Sequence, residues 1–292
     1  MVVAIFRLHK RRLIYKTQAK ACGYQLQKEK VTFFRRKDKK LMIFIRSEKE
    51  LKYLRTSGQI LAKVLQRLRE TTINNSGITT QELNKLAESL ILKQNAKPAF
   101  KGYGGFPYSL CVSINEEVVH GMPGPRQIRP GDIVSLDLGA IWKGYYSDSA
   151  ITVAVGKIDK EIQRLLKVTK ESLYEGIKQA KKGKRVSDIS FAVQCYVEKN
   201  GFSVVRDLAG HGVGRELHED PSIPNFGKPH RGPRLEKGMV LAIEPMVNVG
   251  SFEVEILKNG WTVVTKDRQF SAHFEHTITV TDNNPEILTL CS

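Results

Sequence analysis

The sequence predicts an α+β fold made of two related halves. Two observations carry this reading. Helical and strand-like stretches run in the order helix, helix, strands, and then helix, helix, strands again, so the two kinds of element are segregated rather than alternating. A phrase also recurs: residues 131–137 read GDIVSLD and residues 238–244 read GMVLAIE. Each is a glycine, an apolar run, and a carboxylate six residues after the glycine.

The first stretch of the chain is basic and unpatterned. Residues 1–46 hold fourteen Lys or Arg against Glu29 and Asp38, which accounts for twelve of the seventeen net positive charges of the 292 residues. The run RRKDKK at 35–40 is a charge block of the kind found in flexible arms. It reads first as a solvated extension and second as an electrostatic arm for RNA, because clustered cations attract phosphates regardless of sequence. Met42 opens MIFIRSEKELKYLR and is a natural alternative start for the folded part. The expected organisation is a basic extension over 1–46 and a folded domain over 47–292.

Regular structure is expected from Ser47, which with Glu50 makes a capping-box pattern. Leu51, Leu54, Leu61, Leu65 and Leu68 follow at helical spacing. A second helix is expected from Thr79, with Glu82 three residues on and Leu83, Leu86 and Leu90 on one face. Glycine and proline then punctuate a strand-rich stretch over 108–155. Two more helices are predicted over about 159–181 and 186–199, the second stopping at Gly201, with strands from 202 to the end. No apolar run approaches a membrane span, and the short MVVAIF followed by basic residues is not a secretory signal. Cys22, Cys111, Cys195 and Cys291 are widely spaced without a CxxC, which excludes a zinc ribbon and argues against a disulfide framework. A reducing, cytoplasmic setting fits, and a monomer is the default.

Four carboxylates carry the chemistry. In IVSLDL, Ile133, Ser135 and Asp137 share one strand face. Asp148 follows eleven residues later, past the turn-like WKGYYS, and a hairpin would bring the two acids together. Either acid alone reads as an exposed strand end. The parallel pair in the second half, Glu244 and Glu275, changes that weighting, since an ionised carboxylate in an apolar strand is costly unless paired or bound to metal. His211 lies in GHGVGRELHEDP with His218 seven residues on, His276 follows Glu275, and His120 lies in VVHGMPG. The GxG repetition at 210–214 lacks the third glycine and the βαβ context of a dinucleotide site. Four carboxylates and an imidazole suit Mn²⁺, Fe²⁺, Co²⁺ or Zn²⁺ better than Ca²⁺, and a pair of such ions is a common means of activating water for hydrolysis.

The stretches SINEEVVHGMP, DIVSLDLGAIWKGYYSD, GHGVGRELHEDP, VLAIEPM and FEHTITV stand in order over roughly 47–292. Together they resemble the type I methionine aminopeptidases of the pita-bread metallopeptidases. The resemblance implies a curved antiparallel sheet flanked by helices in two pseudo-symmetric halves. It implies two divalent ions (Co, Mn, Fe or Zn) held by Asp137, Asp148, His211, Glu244 and Glu275, with Asp148 and Glu275 shared between them. It implies removal of the initiator methionine from nascent chains with a small second residue. Glu244 would move the proton of the attacking water, His218 would stabilise the oxyanion or hold the scissile peptide, and His120 would contact the peptide nitrogen. Tyr103, Phe106, Cys111 and Trp261 would line the methionine pocket, with Phe100 and Leu217 nearby. The chain departs from the common pattern at Phe100 and Val119, where many members have cysteine, and at Leu217, where many have phenylalanine. A proline-specific peptidase on the same fold is the runner-up enzyme. A metal-free binding protein is the reading from a different class, and it fits poorly with a full ligand set. The basic extension would add ribosome or rRNA contact.

Overall fold

The computed structural model describes residues 41–291. Residues 1–40, and with them most of the basic extension expected over 1–46, lie outside the described residues. In chain order the first half holds helices α1 (Glu48–Asn74) and α2 (Thr80–Lys93), then strands β1 (Lys97–Pro98), β2 (Cys111–Ile114), β3 (Glu117–Val119), β4 (Ile133–Trp142) and β5 (Tyr145–Ala154). The second half opens with α3 (Lys160–Gln179) and α4 (Val186–Lys199), followed by β6 (Ser203–Val204), β7 (Ala209–Gly212), β8 (Glu219–Pro224), β9 (Val240–Ile243) and β10 (Met246–Asn248). It closes with β11 (Val254–Ile256), β12 (Val263–Thr265), β13 (Ser271–His273), β14 (Glu275–Thr279) and β15 (Glu286–Ile287). The order helix, helix, strands therefore occurs twice, as the sequence predicts.

Local chemistry sets the helix boundaries. Ser47 and Thr79 each accept a hydrogen bond from the backbone N–H three residues on, and Glu50 and Glu82 each reach back to the cap, closing the predicted capping box at Ser47 and a second at Thr79. On α1 the predicted apolar face is the buried one: Leu54, Leu61 and Leu68 have no exposed surface. Each contributes roughly 1.5–3 kcal/mol by leaving water. That face lies on β4 and β5, where Ser57 Oγ bonds Ala140 O at 3.1 Å and Ser147 Oγ at 2.9 Å. In the second half α3 and α4 approach closely at Gly176, where a Cβ would stand 2.7 Å from a Val193 methyl.

The main sheet runs β1-β4-β5-β14-β9-β7-β8, with β2 added beside β4 and β15 beside β14. All of its pairings are antiparallel. The β4–β5 hairpin turns through Lys143 (φ 49°) and Gly144 (φ 80°), so both central residues adopt the positive φ that tight hairpins require. The two halves join at its centre, where β5 of the first pairs with β14 of the second, Ala150 opposite Glu275 and Ser149 opposite His276. The segment ahead of α1 packs onto the second half. Ile43 bridges to Asp220, the Arg46 N–H donates to Gly238 O at 2.8 Å, and the buried Arg46 guanidinium pairs with Glu219. Among the described residues no helix is long and apolar enough to cross a membrane.

Gly58, inside α1, tests this packing. Alanine normally favours a helix interior by about 1 kcal/mol over glycine, but a Cβ here would lie 2.4 Å from the backbone oxygen of Leu288. The clash outweighs the propensity, and Gly58→Ala is expected to cost about 1–3 kcal/mol in urea unfolding. An unchanged or higher midpoint would show that the Leu288 segment yields freely.

Candidate metal centre

Strand register alone places the five chemistry-bearing residues on one face. Asp137 of β4 stands opposite Ala150 of β5, and Gly139 opposite Asp148, so both aspartates face the same way. Ala150 is also opposite Glu275 of β14. Two residues on, Thr277 is opposite Ala242 of β9, which is in turn opposite His211 of β7. Glu244 follows Ala242 by two. Across the sheet the order is therefore Asp137, Asp148, Glu275, Glu244, His211. Cys111 joins the same face opposite Asp137.

The backbone beneath these residues is held in place. Thr277 Oγ1 donates to Asp148 O at 2.7 Å and accepts from Asp148 N–H at 3.0 Å. Gly210 and Gly212 allow close strand approach around His211, since a Cβ at either would meet a backbone oxygen at 2.4 or 2.3 Å.

The donor atoms converge. One ligand atom each of Asp148, His211 and Glu275 lie within 4.8 Å of one another. His211 Nε2 stands 3.8 Å from Asp148 Oδ2 and 3.5 Å from Glu244 Oε1. His211 Nδ1 lies 2.9 Å from Gly212 O, and a carbonyl only accepts, so Nδ1 carries the proton. Nε2 therefore presents a lone pair to two carboxylates. Asp137 Oδ1, Asp148 Oδ1 and Glu275 Oε1 are buried with no hydrogen-bond partner among the described residues. Acceptor facing acceptor, buried without donors, is an arrangement that a cation resolves.

Electrostatics agree. Burial pushes the Asp137 carboxyl up to about 7. Asp148, Glu244 and Glu275 are driven well above the usual carboxylate range, first by burial and then by their neighbours' charge. Burial pulls His211 and His120 down to about 4, so both imidazoles are neutral. Glu244 differs from the other acids in exposure: 14% of its side chain meets solvent against 6% for Asp148. It is the carboxylate at the mouth of the cluster.

The surroundings sort the remaining predicted residues. His218 stacks edge-on to His211 with ring centroids 4.3 Å apart, and its Nδ1 lies 2.8 Å from Tyr103 Oη. His120 holds a left-handed backbone, φ 60°, and its Nδ1 is buried without a partner among the described residues. Phe106 is fully buried and meets Trp261 edge-on at 5.2 Å. Phe100, Phe106, Cys111 and Leu217 share one apolar cluster with Tyr103 and Trp261 at its margin, whereas Val119 belongs to a separate cluster. Burial and the charges of Asp137 and Asp148 push the Cys111 thiol up, so it is not a thiolate. His276 points to the opposite face, its Nδ1 2.9 Å from Thr289 Oγ1, and is not beside the carboxylates. The residue that sequence reasoning missed is His273, whose Nε2 stands 3.8 Å from Glu244 Oε2. Its signal was available: it lies two residues before Glu275, the spacing that shares a strand face.

Comparison with known proteins agrees with this geometry. Residues 52–282 match the model of metallopeptidase family M24. A methionine aminopeptidase of Clostridium acetobutylicum is 53% identical over 251 residues, covering 86% of this chain and all of the relative. Methionine aminopeptidase 1 of Bacillus subtilis is 53% identical over 248 residues, covering 85% and 99%. The crystal structure of the Thermotoga maritima methionine aminopeptidase superposes with a TM-score of 0.83 at 48% identity, covering 85% of this chain and 100% of that one. The fold is accordingly the α+β pita-bread fold, and the chain belongs to metallopeptidase family M24.

Proposed function

We propose that this chain is a metal-dependent aminopeptidase that removes the N-terminal methionine of nascent proteins and prefers a small second residue. The observation that carries the reading is the His211 Nε2 lone pair aimed at Asp148 and Glu244 within a face of buried carboxylates, three of which keep an oxygen without a hydrogen-bond partner among the described residues. Relatives of about half-identical sequence and near-full length carry that activity in their names.

Two divalent ions from the Mn, Fe, Co and Zn group fit the donor set. Asp137, Asp148, His211, Glu244 and Glu275 would hold them in the division the family resemblance implies, and the order of the strands across the sheet is compatible with it. Bound there, such ions would supply Lewis acidity toward the scissile carbonyl and would lower the pKa of water. The chain's own residues do the rest. Glu244, at the mouth, takes the proton of the attacking water and delivers it to the leaving amine. Tyr103 Oη lies 2.8 Å from His218 Nδ1, and with the phenol as donor His218 carries its own proton on Nε2, the atom assigned to stabilise the oxyanion. His120 contacts the peptide nitrogen from its constrained backbone. Tyr103, Phe106, Cys111 and Trp261 form the methionine pocket, with Phe100 and Leu217 behind it. The free α-amine binds at the Asp137 end, which confines attack to chain termini. The protein works as a cytoplasmic monomer, with the basic extension over 1–46 adding ribosome contact to the catalytic domain over 47–292.

Release of methionine from Met-Ala-Ser with added Mn²⁺ tests the reading. Glu244→Ala is expected to abolish turnover, and His218→Ala to lower kcat by about 10²–10³-fold. Cleavage of Ala-Pro in place of Met-Ala-Ser would select the proline-specific alternative. Deleting residues 1–41 is expected to reduce ribosome co-sedimentation and leave small-peptide turnover nearly unchanged. Equal co-sedimentation of both forms would exclude that role for the extension.

Removal of metal gives a test independent of activity. The Asp137 carboxyl sits at about 7 when folded, above its ordinary value near 4. A raised carboxyl pKa means that the folded state holds the proton longer, so its stabilising contribution is full at low pH and is lost as pH rises through about 7. The chelator-stripped protein is expected to lose thermal stability between roughly pH 5 and pH 7.5. Mn²⁺-loaded protein is expected not to, so the gap in unfolding midpoint widens with pH. A gap that stays constant or narrows would contradict the burial argument.

A further inference from the structure

His273 ends β13 and is held there with unusual completeness. Its backbone N–H donates to Thr152 Oγ1 at 2.9 Å, and its backbone O accepts from the same hydroxyl at 2.7 Å. Ser135 Oγ lies 2.8 Å from Thr152 Oγ1. A threonine hydroxyl has one proton, and here it goes to His273 O, so Ser135 must be the donor to Thr152. Three strands thus fix the position of this one residue.

The ring, by contrast, is unsatisfied. His273 is 1% exposed, and neither ring nitrogen has a hydrogen-bond partner among the described residues. Burying such nitrogens unpaired costs about 1–3 kcal/mol each, and a native protein rarely bears that without a use for them. The nearest carboxylate is Glu244, with Oε2 at 3.8 Å from His273 Nε2, about 1 Å beyond a hydrogen bond. The other oxygen of Glu244, Oε1, faces His211 Nε2 at 3.5 Å. Glu244 therefore sits between two imidazoles of opposite character. His211 presents a lone pair, whereas only an N–H on His273 Nε2 gives Oε2 a favourable neighbour.

We propose that His273 is a positioning residue for Glu244: its Nε2–H donates to Oε2, turns Oε1 toward His211 and the ion they share, and fixes the carboxylate for proton transfer. The proposal rests on the reading of Glu244 as metal ligand and base. A group that holds a ligand through a hydrogen bond is worth about 10–100-fold in metal affinity.

The test uses calorimetric titration of Mn²⁺ into the chelator-stripped protein, together with its urea midpoint. His273→Leu is expected to bind Mn²⁺ about 10–100-fold more weakly. Its metal-free unfolding midpoint should be unchanged or raised, because two buried unpaired nitrogens are removed. His273→Gln, which keeps an N–H donor, is expected to recover affinity to within a few-fold. Parental Mn²⁺ affinity in His273→Leu would overturn the proposal, and a raised KM for Met-Ala-Ser alongside it would assign His273 to substrate contact instead. Equal loss in His273→Gln and His273→Leu would also overturn it, since the imidazole would then be a ligand itself. If His273→Leu does not fold, His273→Met carries the same readout. Glu244→Gln separates the two levels. If it also binds Mn²⁺ like the parent, the ligand reading of Glu244 fails; if it alone binds weakly, only the role of His273 fails.

Discussion

The structure depends on keeping four carboxylates buried together on one face of one sheet. Asp137, Asp148 and Glu275 are nearly inaccessible, and Glu244 is only slightly more open. Without a cation, burial raises the proton affinity of all four, neighbouring charge adds to it at Asp148, Glu244 and Glu275, and their surroundings supply too few donors to offset the desolvation. Such a cluster is tolerable in the metal-free fold only when largely protonated. The rest of the molecule therefore has two tasks: to supply enough apolar burial to carry the cluster, and to hold its members close enough for an ion to repay the cost.

The second task falls to hydrogen-bonded threonines and to strand pairing. Thr277 grips the backbone of Asp148 from the neighbouring half, and Thr152 grips the backbone of His273 in the reverse direction. The first clamp joins β14 to β5 and the second joins β5 to β13, so the joint between the halves is also the floor of the site. Because each half contributes a pair of acids, neither half alone could complete the donor set.

The loop between His211 and Asp220 is secured from outside. Arg46, buried under Gly214, pairs with Glu219, and Glu219 Oε1 in turn accepts the N–H groups of Arg215 and Glu216. The chain just ahead of α1 thus braces the loop that carries His218. Truncations that approach residue 46 would disturb the site without touching it, whereas those confined to the segment before Met42 leave these contacts intact.

Sequence by itself determined what is local and periodic. The capping boxes at Ser47 and Thr79, the leucine face of α1 and the hairpin between Asp137 and Asp148 depend on neighbours three to eleven residues away, and all three formed as their spacing dictates. The repeated phrase also marked the two halves, because each must place an acid at the same point of an equivalent strand. Tertiary structure decided what depends on register between distant strands. His276 and His273 flank the same glutamate and look alike in sequence, but strand alternation and the break at Phe274 between β13 and β14, which lie in different sheets, send one to Thr289 and the other to Glu244. The protonated nitrogen of His211 was fixed by the carbonyl of the adjacent Gly212, whose orientation relative to the ring is set by the folded backbone. The contacts of His276 and His273 span 13 and 29 residues, for which no local periodicity carries a signal.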